Sequence, residues 1–267
     1  MNRATKKESR LTQRVWDLLA IAGTFVAFLI AWHLAVRWFD LPKILLPTPW
    51  EVAQAAWLER EPLLRGFLST AAAATLGLAA SSIVGFIVAL CFSQSRYLRA
   101  AMYPYVVFLQ TVPIVAIAPL LIIWSGYRFH TVVLVSAIIS FFPVVSNVTA
   151  GLLSVQRDQL DLFRLYGATR LQTLIKLRIP AAIHEFVLGV RISVGLAVIG
   201  AVVGDFFVGF GLADYAGLGS IMLLWQNRSR TDALIAAIIA STLLGVLLLL
   251  VINTFATFLL RRYLRRS

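Results

Sequence analysis

Long apolar runs separated by short polar stretches dominate the chain. Each run is long enough to cross the hydrocarbon core of a bilayer as a helix, which takes about 20 residues. The pattern therefore predicts six membrane-spanning helices, preceded by segment 1–14 and followed by segment 261–267. The runs cover approximately residues 15–36, 67–92, 101–124, 131–153, 183–207 and 233–260.

The second run carries a small residue at every fourth position. Because such positions share one face of a helix, they form a ridge that lets another helix approach closely. Two interpretations stay open: the ridge packs within one chain, or it contacts a second copy. The ridge consists of Ser69, Ala73, Gly77, Ser81, Gly85, Ala89 and Ser93.

Polar residues and prolines interrupt the later runs. The third run contains the sequence QTVP, the fourth contains a proline and an asparagine, and the fifth ends near an acid. A proline inside a membrane helix frees a backbone carbonyl, which then needs a neighbouring helix or a watery cavity. These positions are either ordinary kinks and structural pairs or the lining of a pathway. The pathway candidates are Gln110, Thr111, Pro113, Asn147 and Asp205.

The stretch Asp161–Pro180 carries regular charges between two very apolar regions. Apolar residues recur there at helical spacing on both sides of Gly167, which predicts two short amphipathic helices joined at that glycine. Asp158 is expected to cap the first helix, and Thr169–Gln172 forms a capping-box pattern for the second. Pro180 is expected to end the second helix. A folded, basic, amphipathic loop in such a chain indicates a docking surface.

Composition supports a polytopic, all-α membrane protein. A soluble domain holds about 25% charged residues, whereas this chain has 13% charged and 60% hydrophobic residues and a mean hydropathy of +0.86. Six spans with short loops account for nearly all of the 267 residues. We therefore expect one transmembrane domain, at 15–260, between an N-terminal segment and a short tail.

The distribution of Lys and Arg predicts the orientation. Segments 1–14, 94–100, 154–182 and 261–267 hold 16 of the 24 basic residues, and the opposite side holds seven. Because basic residues favour the cytoplasmic side, both termini and the loop 154–182 are expected to face the cytoplasm. The net charge of +12 then reflects topology and attraction to the anionic lipid bilayer, not nucleic-acid binding.

The sequence contains no motif typical of catalysis, nucleotide binding or metal binding. The chain has one cysteine, Cys91, and three scattered histidines, and it contains no Walker A sequence. No catalytic residue, cofactor or metal site is predicted, so the chain is not expected to be an enzyme. An intramembrane protease would need paired acids or a Ser–His pair. A stand-alone secondary transporter or channel is the other alternative, although such proteins usually bury more charged residues near the midplane.

The loop also resembles the EAA loop of ABC-importer permeases. Asp161 stands at the acid of that motif, Gly167 follows six positions later, and an apolar-x-apolar-Pro ending finishes at Pro180. Asp replaces the usual Glu, and Leu162-Phe163 replaces two alanines. The resemblance covers approximately residues 46–262, including the sequence LPTP near its start. It is greatest to permeases of the nitrate, sulfonate, taurine and pyrimidine-precursor group.

The resemblance implies a type I ABC-importer (MetI-like) permease fold in the bacterial inner membrane. It implies a homodimer that binds two copies of a separate ABC ATPase inside and a solute-binding protein outside. Segment 110–124 is more similar to permeases for pyrimidine, thiamine-precursor or riboflavin uptake, and sulfonate, taurine, nitrate or bicarbonate are the alternatives. The ATPase-coupling residues that the resemblance implies are Asp161, Leu162, Phe163, Arg164, Gly167, Leu177 and Pro180.

Overall fold

The computed structural model describes residues 3–209 and 217–264, and within them every regular element is helical. The helices are α1 Arg3–Trp38, α2 Pro49–Leu58, α3 Arg60–Gln94, α4 Arg96–Thr111, α5 Ile114–Ser125, α6 Phe129–Leu153, α7 Arg157–Leu165, α8 Arg170–Thr173, α9 Ile179–Val208, α10 Leu218–Asn227 and α11 Thr231–Leu264. A π-helical turn, Leu174–Arg178, joins α8 to α9. The prediction of an all-α fold is confirmed.

Five of the described helices are long and apolar enough to cross a membrane, and α4 with α5 makes a sixth candidate. The third apolar run is therefore broken, with a bend of 101° between its two halves. The break lies at Val112 and Pro113, which both have extended backbone conformations. Pro113 lacks an N–H and restricts the residue before it, so the QTVP sequence ends α4 instead of kinking one helix.

The chain divides into two compact units, and residues 60–224 and 237–267 form the larger one. In its described part, α6 packs against both α3 and α9. Glycines allow this close approach: a Cβ on Gly85 would lie 2.9 Å from Cγ1 of Val144, and one on Gly200 would lie 2.7 Å from Cα of Ser136. The ridge of α3 is thus packed against α6 of the same chain, which favours the first of its two interpretations.

Serine hydroxyls add polar contacts to this three-helix core. Ser136 of α6 donates to the carbonyl of Ala197 at 2.8 Å, and Ser193 of α9 donates to the carbonyl of Ser140 at 2.7 Å. The hydroxyl of Ser140 also lies 2.9 Å from that of Ser81 on α3. Small hydroxyl residues satisfy their polar groups inside a helix pair without holding the backbones apart. They therefore hold α3, α6 and α9 in one register.

The second unit comprises residues 1–59 and 225–236. In its described part, α2 begins with a capping box, in which the Glu51 carboxylate accepts the backbone N–H of Thr48 at 2.8 Å. That bond lowers the pKa of Glu51, against the opposing effect of burial. Arg230 forms ion pairs with Glu59 and Asp232, and the hydrogen bond to Glu59 raises the pKa of Arg230. The capping box and the two ion pairs thus fix the side chains of Glu51, Glu59 and Asp232.

Candidate functional site

The charged loop is helical on both sides of Gly167, as predicted, with the short helix α7 before it and α8 after it. Gly167 has a φ of +67°, the left-handed conformation that ends a helix at a glycine. At the start of α8, the Thr169 hydroxyl accepts the N–H of Gln172 at 3.2 Å, and the Gln172 side chain accepts the N–H of Thr169 at 2.8 Å. The predicted capping box is confirmed.

Two details of this loop differ from the sequence-based expectation. The N-cap of α7 is Gln156, so Asp158 lies in the first turn and does not cap the helix. Pro180 does not end the second helix, because α8, the π turn and α9 run on continuously from Arg170 to Val208. Pro180 lies in the first turn of α9, where a missing N–H is tolerated. The second half of the loop, from Arg170 onward, is thus the N-terminal part of a long helix, whereas α7 is a separate helix before the turn at Gly167.

The α7 surface is open to solvent, and the helix buries none of its residues in this chain. Asp161 and Arg164 pair with each other at 2.9 Å on this surface. None of the apolar side chains beside this pair is fully buried, although an amphipathic helix in a folded protein usually packs its apolar face on a core. The most exposed apolar residues of the loop are Leu162, Leu165, Tyr166, Leu171 and Ile175.

One side chain ties the loop to the helical core. The guanidinium of Arg178 in the π turn donates to the backbone carbonyl of Ser93 at 2.7 Å. Ser93 lies in the last turn of α3, where carbonyls have no partner within the helix and a cation is favoured. The position of the loop is therefore set by α3 as well as by the helix that follows it.

An apolar cavity of about 260 Å³ opens beside the break between α4 and α5. Gln110 is the only residue in its lining with a polar side chain. The remaining lining comes from both sides of the break and from the middle of α6 and α9. These residues are Leu109, Val112, Ile114, Ile117, Ile138, Ile139, Phe142, Pro143, Leu196 and Ile199.

The five pathway candidates do not form one cluster. Gln110 lines the cavity, and the Thr111 hydroxyl donates to the carbonyl of Phe108 on its own helix at 2.8 Å. Pro113 caps α5 at the break. The Asn147 amide donates to the carbonyl of Pro143 at 2.8 Å, so its polar group is engaged within α6. The predicted pathway roles of all five remain predictions.

Asp205 belongs to a different, fully buried arrangement. Its carboxylate accepts a hydrogen bond from the Thr70 hydroxyl at 2.5 Å, and that hydroxyl accepts the backbone N–H of Leu218 at 2.8 Å. Sequence reasoning singled out Asp205 but missed Thr70 and Leu218. The sequence shows Thr70 only as a hydroxyl residue next to the ridge of small residues on α3. Nothing in that position indicates that its partner is Asp205, which lies 135 residues further along the chain.

Residues 81–266 match the model of the family described as "Binding-protein-dependent transport system inner membrane component". A probable ABC transporter permease protein of Haemophilus influenzae is 33% identical over 226 residues, covering 85% of this chain and 89% of that protein. The formylaminopyrimidine transport permease protein ThiX of Halalkalibacterium halodurans is 32% identical over 236 residues, covering 88% and 92% of the respective chains.

A riboflavin transport system permease protein, RibX of Chloroflexus aurantiacus, is 29% identical over 263 residues, covering 98% of this chain and 96% of that protein. Among solved structures, an amino acid ABC transporter crystallised with histidines has a TM-score of 0.51 and 20% identity. That match covers 78% of this chain and 97% of the other, and it shows a shared fold.

Proposed function

The chain belongs to the family of binding-protein-dependent transport system inner membrane components and is an ABC-importer permease; from that premise we propose how it is coupled and what it carries. A separate ABC ATPase, in two copies, supplies the energy, and a solute-binding protein delivers the solute. Two copies of this chain form the pathway, because one chain of this size encloses little space. The chain itself performs no hydrolysis.

Both termini and the loop between α6 and α9 face the cytoplasm in this proposal. The support is the excess of Lys and Arg on that side of the chain. It follows that α3 runs inward, α9 runs outward, and α10 lies near the external face. The capping box of α2 and the ion pairs of Arg230 are then external.

The loop surface of α7 is the docking site for the ATPase. The observation that carries this assignment is that α7 buries none of its residues, exposes Leu162 and Leu165, and leaves Phe163 only partly buried. Leu162 and Phe163 supply the apolar contact, and the Asp161–Arg164 pair supplies its charged rim. Gly167 sets the angle between α7 and α8, and Leu177 and Pro180 lie where the loop passes into α9.

Movement of the docked ATPase is transmitted through one continuous helix. Residues from Arg170 to Val208 form an unbroken rod, so a push on α8 displaces α9 without an intervening hinge loop. Arg178 passes part of the same displacement to α3 through the carbonyl of Ser93. Coupling is therefore an alternation of packed helices between outward-facing and inward-facing arrangements.

The cavity beside the α4–α5 break is the substrate-contacting part of the pathway, and it favours a small uncharged heterocycle. With Gln110 as its polar group, the lining offers one hydrogen-bonding side chain and no countercharge for a sulfonate, taurine, nitrate or bicarbonate ion. A cavity of about 150 Å³ holds benzene, so the 260 Å³ here suits one substituted ring. A formylaminopyrimidine-like thiamine precursor is therefore preferred.

Solute-stimulated ATP hydrolysis tests this proposal. The permease, its ATPase and its solute-binding protein are reconstituted, and formylaminopyrimidine, riboflavin, taurine and an alkanesulfonate are added in turn. We expect stimulation by the pyrimidine alone. Gln110→Leu should lower that stimulation about tenfold through loss of a hydrogen bond, whereas Thr111→Val should not, because Thr111 bonds its own helix. Stimulation by a sulfonate or by riboflavin would contradict the substrate assignment.

A further inference from the structure

The buried Asp205 lies in the last two turns of α9, opposite Thr70 of α3. Both residues are completely excluded from solvent within this chain. The Thr70 hydroxyl has one proton, which it donates to Asp205 at 2.5 Å, and its oxygen accepts the N–H of Leu218 at 2.8 Å. Two hydrogen bonds in series thus connect α9, α3 and the start of α10.

The start of α10 is wedged between the same two helices. A Cβ on Gly217 would collide with the Asp205 carboxylate, so only glycine allows the backbone to lie against it. A Cβ on Gly219 would lie 2.7 Å from the backbone nitrogen of Phe206. On the other side, a Cβ on Gly66 of α3 would lie 3.2 Å from the nitrogen of Leu218. The backbone of this turn therefore lies directly against α9 on one side and α3 on the other.

The hydrogen bonds match what the first turn of α10 requires. Leu218 is the first residue of that helix, so its N–H has no carbonyl to bond within the helix. Thr70 satisfies this donor, and Asp205 in turn satisfies the proton of Thr70. A buried acid is costly in an apolar membrane protein, and a well-packed apolar pair would fill the same space at lower cost. The two hydrogen bonds therefore indicate that the first turn of α10 must be held in one position, in addition to any stability that they provide.

We propose that Thr70 and Asp205 are positioning residues that form a latch, which seats the first turn of α10 between α3 and α9 during the transport cycle. The external location of this latch rests on the proposed topology. The latch keeps the outer ends of α3 and α9 together with α10, so these three elements move as one body when the ATPase drives α9. Without the Thr70 hydroxyl, α10 leaves its seat more often, and less of the movement of α9 reaches the external side.

Cysteine protection measures the seating of α10 directly. Ile221 is buried in the second turn of α10, with Gly66 beside it. Ile221→Cys is introduced into a Cys91→Ala background, which removes the single native cysteine. The rate of maleimide modification is then compared with and without Thr70→Val, an isosteric change that removes the hydroxyl. Thr70→Ser keeps the hydroxyl, and Thr75→Val repeats the change at an exposed site of α3 where the hydroxyl bonds its own helix.

We expect Thr70→Val to raise the modification rate about tenfold, as for the loss of a buried hydrogen-bonded group, and to lower the maximal rate of solute uptake by a similar factor. Thr70→Ser and Thr75→Val should change neither quantity. Asp205→Asn should fall between them, because an amide oxygen still accepts from Thr70. Unchanged protection in Thr70→Val would overturn the latch. Loss of both Thr70 variants from the membrane would also overturn it, because the requirement would then lie in folding.

Modification of the purified permease requires neither ATPase nor solute. A wild type that fails to transport the proposed solute would refute the substrate assignment and leave the protection result intact. Conversely, normal uptake with normal protection in Thr70→Val would refute the latch while the importer assignment stands.

Discussion

Arg178 donates a hydrogen bond from its guanidinium to the main-chain carbonyl of Ser93 at 2.7 Å, across 85 residues of sequence. The bond joins the π turn, which leads from the charged loop into α9, to the last turn of α3. A charged donor at a helix C-terminus satisfies an orphan carbonyl and complements the helix dipole. The contact adds a side-chain link to α3 to the two covalent connections that the loop has with α6 and α9.

Arg178→Met should uncouple the permease. The variant keeps most of the side-chain bulk but leaves the Ser93 carbonyl without its charged donor, a loss of about 1.5–3 kcal/mol. We expect normal membrane levels and a severalfold lower solute-stimulated ATPase activity in liposomes. Lys176→Met is the matched control, since Lys176 lies in the same π turn and is exposed. Equal effects of the two substitutions would show that only the net charge of the turn matters.

Gly167→Val should impair coupling and leave insertion intact. A β-branched residue held at a φ of +67° costs about 1–2 kcal/mol, and the strain changes the angle at which α7 faces the ATPase. Stimulated ATP hydrolysis and uptake should fall while the amount of protein in the membrane stays normal. Gly167→Asn should retain most of the activity, because asparagine tolerates the left-handed conformation. Full activity of the Gly167→Val variant would show that the left-handed conformation of Gly167 is not needed for coupling.

Local sequence signals predicted the loop well. Gly167 and the Thr169–Gln172 box act within a few residues, so their geometry follows from the sequence around them. The prediction that Pro180 ends the second helix is wrong, because the helix continues through the π turn into α9. A proline in the sequence does not indicate that a π turn precedes it. The break at Pro113 was predicted only as a kink, because its sharpness depends on the packing of both halves.

Contacts between residues far apart in the chain could not be predicted from the sequence. Thr70 and Asp205 lie 135 residues apart, and no periodicity relates them. The ridge of α3 was visible as a pattern, but its partner was not, because a small-residue face fits a helix of the same chain as well as one of another copy. The proximity of Gly85 to Val144 decides in favour of α6. Candidate pathway residues chosen by type alone were therefore scattered through the fold.

Gly85→Leu should destabilise the transmembrane core. A Cβ at this position already lies 2.9 Å from Val144 and 3.4 Å from Val145, so a leucine forces α3 and α6 apart. Overpacking of this kind costs about 1–3 kcal/mol, and we expect a lower melting temperature of the purified permease. Gly23→Leu is the control, since a Cβ on Gly23 meets no atom of the described chain within 4 Å. Equal stability of the Gly85 variant and the wild type would contradict the packing described here.

Cysteine labelling should locate the coupling loop on the cytoplasmic side. In a Cys91→Ala background, Gln172→Cys places a thiol at an exposed site of α8, and Arg128→Cys places one at the start of α6. An impermeant maleimide added to intact spheroplasts should label position 128 and not position 172, and it should label both after lysis. Labelling of position 172 in intact spheroplasts would reverse the topology inferred from the basic residues.

ATP-driven uptake by proteoliposomes tests most directly whether this chain transports solute through coupling to a separate ATPase. Liposomes containing the permease and its ATPase, with ATP on the ATPase side and loaded binding protein on the other, should accumulate labelled solute against a gradient. Accumulation should stop when ATP is replaced by a non-hydrolysable analogue or when the ATPase is omitted. Equal accumulation by the permease alone would contradict the account, because the chain would then be a secondary transporter or a channel.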